Sequence, residues 1–146
     1  MGEEGRVWAF DVQPGAVERT RARLEQAGLA GRATLLQVGH ERMAEFVPEP
    51  VDLIVFNLGW LPGGDKTITT RVDTTLRALQ AAIDLLKPAG LLTVCVYPGH
   101  PEGDRELKSV FQWAEGLPPG RFCALRKAYV NQPKDLPQLL AVQKLS

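Results

Sequence analysis

The chain has 146 residues, of which 45% are hydrophobic. This length suits one domain, and the apolar fraction is too high for a disordered tail. Seventeen basic side chains balance seventeen acidic ones, which excludes a strongly basic nucleic-acid coat and a polybasic membrane binder.

The first half of the chain predicts strands alternating with helices. A short strand at residues 6–10 is followed by Pro14, which suits the first turn of a helix. Apolar residues recur at helical spacing through residues 16–27, and Gly28 is a natural stop. A second strand is predicted at 33–38 and a short helix at 43–47. The continuous apolar run at 51–56 predicts a third strand that is buried on both faces.

The second half continues the alternation and closes with two strands. A loop at 57–65 leads into a helix at 68–86, which Pro88-Ala89-Gly90 ends before a strand at 91–97. After the loop 98–103, Asp104 is the predicted cap of a further helix. Residues 122–130 and 136–145 predict two strands, and the short connection between them favours antiparallel pairing.

This order predicts an α/β fold in a single domain over residues 1–146. The expected architecture is an open, mostly parallel sheet with helices on both faces and an antiparallel strand pair at the C-terminus. Ligands in such sheets bind outside the carboxyl ends of the strands. The loops 11–14, 39–41, 57–66 and 97–103 leave those ends and hold most of the unusual polar residues.

Asp11 ends the first predicted strand. A carboxylate at this position accepts hydrogen bonds from a ribose diol in Rossmann-like sheets. The alternative is a helix cap or a turn aspartate. Gln13 faces the same predicted crevice, although a polar turn residue is the simpler interpretation.

The loop after the third strand concentrates glycines, an aromatic residue and an amide. Its Asn–small–aromatic–Pro run resembles the loop with which amino methyltransferases hold a nucleophilic nitrogen. In that interpretation the carboxamide oxygen of Asn57 accepts a hydrogen bond from the amine. Trp60 would supply an apolar wall or a π face. A long surface loop with an exposed tryptophan is the alternative.

Two histidines follow strand ends. His100, in Tyr97-Pro98-Gly99-His100, could take a proton from an ammonium group or orient a phosphate, but it could also be an ordinary loop residue. His40 lies after the second strand, where a nucleoside base could stack. Two histidines and two cysteines at these separations do not form a zinc signature, so no metal site is predicted.

Four stretches together resemble a small family of class I S-adenosylmethionine-dependent methyltransferases, the rRNA methylase-like family. They are Phe10-Asp11-Val12-Gln13, Gly39-His40-Glu41, Asn57-Leu58-Gly59-Trp60-Leu61-Pro62-Gly63-Gly64-Asp65-Lys66 and Tyr97-Pro98-Gly99-His100. The resemblance implies a Rossmann-like fold and S-adenosylmethionine as cofactor. It also implies N-methylation of the aminomethyl group on the wobble uridine of tRNA.

The resemblance implies a role for each matching residue. Those implied to hold the cofactor are Asp11, Gln13, His40, Glu41, Asn57, Leu58 and Gly59. Those implied to contact the substrate are Trp60, Pro62, Asp65, Lys66 and Gly99, and those implied in catalysis are Asn57, Tyr97 and His100. Where the family usually has tyrosine after Asn-Leu-Gly, this chain has Trp60.

The sequence departs from the family at its start. Family members carry a first strand and a loop of the type Gly-Asn-Gly-His-Asp-Thr, which cradles the methionine part of the cofactor. The 146 residues contain no such motif, so the chain is predicted to be N-terminally truncated relative to the family. That strand is central, between the strands at 6–10 and 51–56. Its absence predicts two exposed strand edges and favours a homodimer.

Three hypotheses on function therefore stand side by side. The first is methylation of tRNA at the anticodon loop. The second is methylation of rRNA or of a small amine, and the third is a non-catalytic, methyltransferase-like binding module. No membrane span or secretory signal is predicted, and two cysteines outside a C-x-x-C pair favour the cytoplasm, with an organelle as the alternative in a eukaryote.

Overall fold

Strands and helices alternate along the chain, as the sequence predicts. The structure is a computed structural model that describes residues 2–59 and 70–146. Within those ranges the strands are β1 (Val7–Phe10), β2 (Ala33–Leu36), β3 (Val51–Asn57), β4 (Leu86–Val96), β5 (Phe122–Lys127) and β6 (Gln138–Lys144). The helices are α1 (Pro14–Gln26), α2 (Met43–Phe46), α3 (Val72–Leu85) and α4 (Pro101–Glu115).

The first unit is the parallel pair β1–β2 with α1 between them in sequence. The pairing runs from Val7↔Ala33 to Phe10↔Leu36. Helix α1 begins at Pro14, whose fixed φ suits a helix start. The helix ends just before Gly28, which has a φ of 68° and so adopts the left-handed conformation that favours glycine. The sequence-based start and stop of this helix are both confirmed.

The second unit is the parallel pair β3–β4, with α3 between them in sequence. The pairing runs from Leu53↔Leu91 to Asn57↔Cys95. Strand β4 begins at Leu86, earlier than predicted, because Leu86 already pairs with Val51 ahead of a register shift. Helix α3 begins at Val72, and the predicted helical residues 68 and 69 lie outside the described residues.

The last two strands are antiparallel, as predicted. Strand β6 pairs antiparallel with β4 on one side and with β5 on the other, which gives the order β3-β4-β6-β5. The chain therefore forms the edge strand β5 first, and β6 then inserts between β4 and β5.

One face of this four-stranded sheet carries the core. Its side chains pack against the inner faces of α3 and α4 in a single hydrophobic cluster. The strand residues in that cluster are Phe56, Leu92, Val94, Val96, Phe122, Leu140 and Val142, and the helical ones include Ala78, Leu79, Ala82, Ile83, Val110, Phe111 and Ala114. Burial of this apolar surface is the main source of stability.

The opposite face of the same sheet is open over the described residues. Side chains alternate between the two faces of a strand, and Leu53 and Val55 of β3 are 55% and 65% exposed. Leu125 of β5, which lies on this face, is also 65% exposed. The prediction that residues 51–56 are buried on both faces is therefore wrong. For this sheet the prediction of helices on both faces is wrong too, because α3 and α4 share one face.

The described strands form two sheets rather than one. Strands β1 and β2 make the smaller sheet, and β3-β4-β6-β5 make the larger. Within residues 2–59 and 70–146, the second edge of β1 and that of β3 have no strand partner. That a family strand is missing between β1 and β3 remains a prediction. The 3₁₀ turn His40–Arg42 and helix α2 contact α3 and connect the two parts.

The described part of the chain holds no helix that combines the length and the apolar character of a membrane-crossing segment.

The asymmetry of the two sheet faces can be measured by a matched pair of substitutions. Leu92→Ala, on the covered face, should lower the free energy of unfolding by about 2–5 kcal/mol, because it opens a cavity against α3 and α4. Leu53→Ala, one strand away on the open face, should cost about 0.5 kcal/mol or less. Urea denaturation measures both. Equal losses would show that the open face is covered in solution.

Candidate functional site

Asn57 and Tyr97 meet at the carboxyl end of the β3–β4 pair. Asn57 is the last residue of β3 and lies opposite Cys95 in the parallel register. Tyr97 is two residues beyond Cys95, and its hydroxyl interacts with the Cys95 thiol and the Asn57 carboxamide. Hydrogen bonding to Cys95, together with partial burial, raises the pKa of Tyr97. The phenol is therefore neutral near pH 7 and can donate or accept a hydrogen bond beside the amide.

The two residues after Asn57 are fixed by backbone hydrogen bonds. The Leu58 N–H donates to the Cys95 carbonyl at 2.9 Å, and the Leu58 side chain is buried. Gly59 has a φ of 132°, a conformation that L-residues with a side chain rarely adopt. A Cβ at Gly59 would stand 3.8 Å from the Tyr97 ring. The chain therefore leaves β3 through a turn that passes close to Tyr97.

His100 caps helix α4. The Gly103 N–H donates to His100 Nδ1 at 3.1 Å, and Pro101 occupies the first helical turn. The predicted cap, Asp104, is wrong: it lies inside that turn, where its carboxylate accepts from the Gly99 N–H at 3.0 Å. A nitrogen that accepts a hydrogen bond carries no proton, so Nδ1 is not available as a donor, and the other ring nitrogen, Nε2, is buried.

Gly103 permits this capping geometry. A Cβ at position 103 would clash with the Tyr97 carbonyl oxygen and with the His100 ring. The first turn of α4 can therefore approach the end of β4 only because residue 103 has no side chain. This close approach keeps the Tyr97–His100 segment against the helix.

His40 lies beside the last core residue of β3. Its ring centroid is 5.4 Å from that of Phe56, with the planes at 70° to each other. Burial lowers the pKa of His40, and the neighbouring Glu41 carboxylate opposes this effect. His40 is therefore a neutral, partly buried ring that contacts Phe56, the residue before Asn57 on β3. The implied roles of His40 and Glu41 toward an adenine remain predictions.

Asp11 and Gln13 stabilise the turn between β1 and α1. The Gln13 N–H donates to Asp11 Oδ1 at 2.8 Å, and the Asp11 N–H donates to the Leu36 carbonyl at 3.1 Å. Asp11 thus serves as the turn aspartate that was the alternative interpretation. It also borders a cavity of about 120 Å³ between β1, β2 and α1. These bonds stay within the β1–β2 unit, and the ribose-holding role remains a prediction.

The structure places the predicted residues in three groups. Asn57, Gly59 and Tyr97 lie together, and Leu58, Gly99 and His100 are fixed around them. Asp11, Gln13, His40 and Glu41 lie on the turns after β1 and β2. Four predicted substrate residues fall outside the described residues: Trp60, Pro62, Asp65 and Lys66.

Three residues near Asn57 were given no role by the sequence. Cys95 contacts Tyr97, and its place two residues before Tyr97 on a strand could have predicted a shared face. Thr70 Oγ1 donates to the buried Glu106 carboxylate at 2.8 Å. A charged residue on the apolar face of α4, one turn before Val110, was a sequence signal that could have marked Glu106.

Comparison with known proteins agrees with this architecture. A sequence model of the family described as "Putative rRNA methylase" matches residues 7–143. The chain belongs to this rRNA methylase family. The resemblance seen in the four motifs is thereby confirmed at the level of the family, and the Rossmann-like methyltransferase fold is confirmed with it.

Three relatives show how much of the family fold the chain spans. It is 43% identical over 138 residues to the "tRNA (mnm(5)s(2)U34)-methyltransferase, chloroplastic" of Arabidopsis thaliana, which covers 91% of this chain and 50% of the relative. A putative rRNA-methylase from Clostridium thermocellum has 38% identity and a TM-score of 0.96, covering 99% of this chain and 77% of that one. A putative methyltransferase from Streptococcus mutans, solved in complex with SAH, has 34% identity and a TM-score of 0.89. This match covers 96% of this chain and 76% of that one.

The rRNA methylase family chain thus spans about half the length of its curated Arabidopsis relative. The family and the fold follow from these matches.

The neutral state of His40 can be checked by an NMR titration. Its folded-state pKa lies below the usual 6.5, so the stability that neutral His40 contributes is present above about pH 6.5. That stability is lost as the pH falls through the folded-state pKa. The ring protons, assigned with a His40→Gln variant, should therefore titrate with a midpoint below 6.5. A midpoint at or above 6.5 would contradict the burial of this ring.

The capping role of His100 predicts different effects for two substitutions. His100→Ala should lower the free energy of unfolding by about 1 kcal/mol, because the Gly103 amide loses its acceptor. His100→Asn should retain most of that stability, since asparagine is a preferred cap. Chemical denaturation measures both. If the two variants lose the same amount, the histidine does not act as a cap.

Proposed function

We propose that this chain is the catalytic part of an S-adenosylmethionine-dependent methyltransferase that N-methylates the aminomethyl group of a wobble uridine in tRNA. One observation carries the proposal: the Asn57 carboxamide stands beside the Tyr97 hydroxyl at the carboxyl edge of β3 and β4. The identity of 43% to a relative named as a tRNA methyltransferase supports the choice of substrate.

The chemistry requires an oriented amine more than it requires a strong acid or base. S-adenosylmethionine supplies a methyl group on a sulfonium. The lone pair of an amine attacks the methyl carbon in line, and the thioether leaves. Asn57 would accept a hydrogen bond from the amine through its carboxamide oxygen and so direct the lone pair. Proximity and orientation of this kind are the main contribution of the protein. A new C–N bond forms, the C–S bond breaks and one N–H proton leaves.

That proton must pass to a base before the nitrogen can attack, because an aminomethyl group is largely protonated at neutral pH and an ammonium nitrogen has no lone pair. His100 was the sequence-based candidate, but its Nδ1 accepts from Gly103 and its Nε2 is buried. Asn57 is exposed and Tyr97 is 40% exposed. We therefore favour water beside Asn57 as the proton acceptor and assign His100 a positioning role.

The residues present fit the nucleoside half of S-adenosylmethionine. Asp11 ends β1 beside a cavity, and the neutral His40 ring follows β2. The Streptococcus relative was solved in complex with SAH. No loop of the Gly-Asn-Gly-His-Asp-Thr type occurs in the 146 residues to hold the methionine half. Tight binding would therefore need residues beyond these.

The charge balance favours a locally recognised substrate. Extensive contact with phosphates requires a basic surface, whereas this chain has equal numbers of basic and acidic residues. A wobble base that is splayed out of the anticodon stack can be recognised locally, as in base-flipping enzymes.

We place the protein in the cytoplasm, with an organelle as the alternative. A homodimer through the edges of β1 and β3 that have no strand partner among the described residues is a further proposal.

Methyl transfer tests the proposed function. The chain should transfer tritiated methyl from S-adenosylmethionine to tRNA that carries aminomethyluridine. Asn57→Ala should lower kcat by about 100-fold, because the amine loses its orienting acceptor. It should weaken S-adenosylmethionine binding, measured by calorimetry, by a smaller factor. Asn131→Ala, at an exposed asparagine in the turn after β5, is the matched control.

Other results would identify the alternatives. A folded sample that neither binds millimolar S-adenosylmethionine nor transfers methyl would overturn the proposal in favour of a binding module. Transfer to rRNA or to a small amine, without transfer to tRNA, would change the substrate class. Nucleoside mass spectrometry of RNA from cells that lack the gene distinguishes tRNA from rRNA.

A further inference from the structure

Glu106 is a buried carboxylate with two specific partners. It lies on the inner face of α4 and is 2% exposed. Its Oε1 accepts from the Thr75 hydroxyl at 2.6 Å, and its Oε2 accepts from the Thr70 hydroxyl at 2.8 Å. A charge is rarely buried unless hydrogen bonds compensate it. Here the two hydroxyl donors come from residues 31 and 36 positions earlier in the chain.

Thr70 transmits this contact to the end of β3. The Gly59 N–H donates to Thr70 Oγ1 at 3.0 Å, and the Thr70 N–H donates back to the Gly59 carbonyl at 3.4 Å. Residues 59 and 70 are thus joined twice. Gly59 in turn follows Leu58, whose N–H is bonded to the Cys95 carbonyl.

The hydrogen bonds form a chain with one direction. The Gly59 N–H donates to the Thr70 oxygen, and the Thr70 hydroxyl donates to Glu106. A hydroxyl has one proton, so it can accept from Gly59 and donate to Glu106 at the same time. Each of the two carboxyl oxygens serves as the acceptor for one hydroxyl in this arrangement. Burial raises the pKa of Glu106, whereas the bonds from Thr75 and Thr70 lower it.

The same end of α4 also holds the start of α3. The Val72 N–H donates to the Glu102 carboxylate at 3.4 Å, one helical turn before Glu106. The first turns of α4 therefore contact Thr70 through Glu106 and the start of α3 through Glu102.

We propose that Glu106 is a positioning residue which, through Thr70, fixes Gly59 and so holds Asn57 in the orientation that methyl transfer needs. This proposal rests on the proposed function for its catalytic consequence. Its structural content is that the Glu106–Thr70–Gly59 chain orders the exit of β3. Glu106 does not touch the amine or the cofactor.

Two threonine substitutions separate positioning from ordinary stabilisation. Thr70→Val removes the link to Gly59, whereas the matched control Thr75→Val removes the other hydrogen bond of the same carboxylate and leaves that link intact. Thr70→Val should lower kcat on aminomethyluridine tRNA by about 10- to 100-fold, with little change in KM. Thr75→Val should lower kcat far less at a comparable loss of thermal stability. Thr70→Ser, which keeps the hydroxyl, should restore kcat.

Amide hydrogen exchange gives a readout that does not depend on activity. The Gly59 amide should exchange about tenfold faster in Thr70→Val and in Glu106→Leu than in the wild type, as expected for the loss of one hydrogen bond. Thr75→Val and Thr70→Ser should leave it protected. The Leu variant is included because its side chain offers no acceptor to the Thr70 hydroxyl.

The outcomes distinguish this proposal from the one on which it rests. An inactive wild type overturns the proposed function, while the exchange of Gly59 still decides whether Glu106 orders the strand exit. Unchanged Gly59 exchange in Thr70→Val overturns the role of Glu106, even in an active enzyme. Equal losses of kcat in Thr70→Val and Thr75→Val also overturn it, because a merely structural carboxylate predicts that result.

Discussion

The parallel pairing of β3 with β4 is the interaction on which the site depends. It sets Asn57 opposite Cys95, and the bond from the Leu58 N–H to the Cys95 carbonyl extends the pairing past the strand end. A slip of one residue in either strand would turn its side chains to the other face. Leu92 and Val94, both fully buried, prevent such a slip, because it would expose them. The core therefore fixes the register that brings the amide to the phenol.

The open face of the sheet and the site are parts of one surface. Leu53, Val55 and Asn57 alternate along β3 and so project to the same side, and Cys95 lies there on β4. Any segment or partner that covers Leu53 and Val55 must also border Asn57. Any cover of this face would therefore also change the surroundings of Asn57. The α3–α4 face, by contrast, is finished within the described residues.

Local sequence patterns predicted the fold well, but they did not predict contacts between residues that are distant in sequence. Helix α1 and the antiparallel end of the sheet follow from local residues such as Pro14 and Gly28. The meeting of Asn57 and Tyr97 follows from the rule that parallel strands share a carboxyl edge. The Thr70–Glu106 bond joins residues 36 positions apart, and no local pattern encodes it. The exposure of Val55 was missed because an apolar run indicates burial only when another layer covers it.

The end of β3 is held from the covered side of the sheet by groups that the chain itself supplies. Glu106 lies on the inner face of α4, whereas Cys95 and Tyr97 reach Asn57 from the open side. The contacts that orient the end of β3 therefore do not require the open face to be covered. Asp11, which is proposed to hold the cofactor, instead follows β1 in the other sheet, whose second edge has no strand partner within residues 2–59 and 70–146. Under the proposed function, the residues that orient the amine are held by contacts within one sheet and its helices, whereas the residues that hold the cofactor are divided between two sheets.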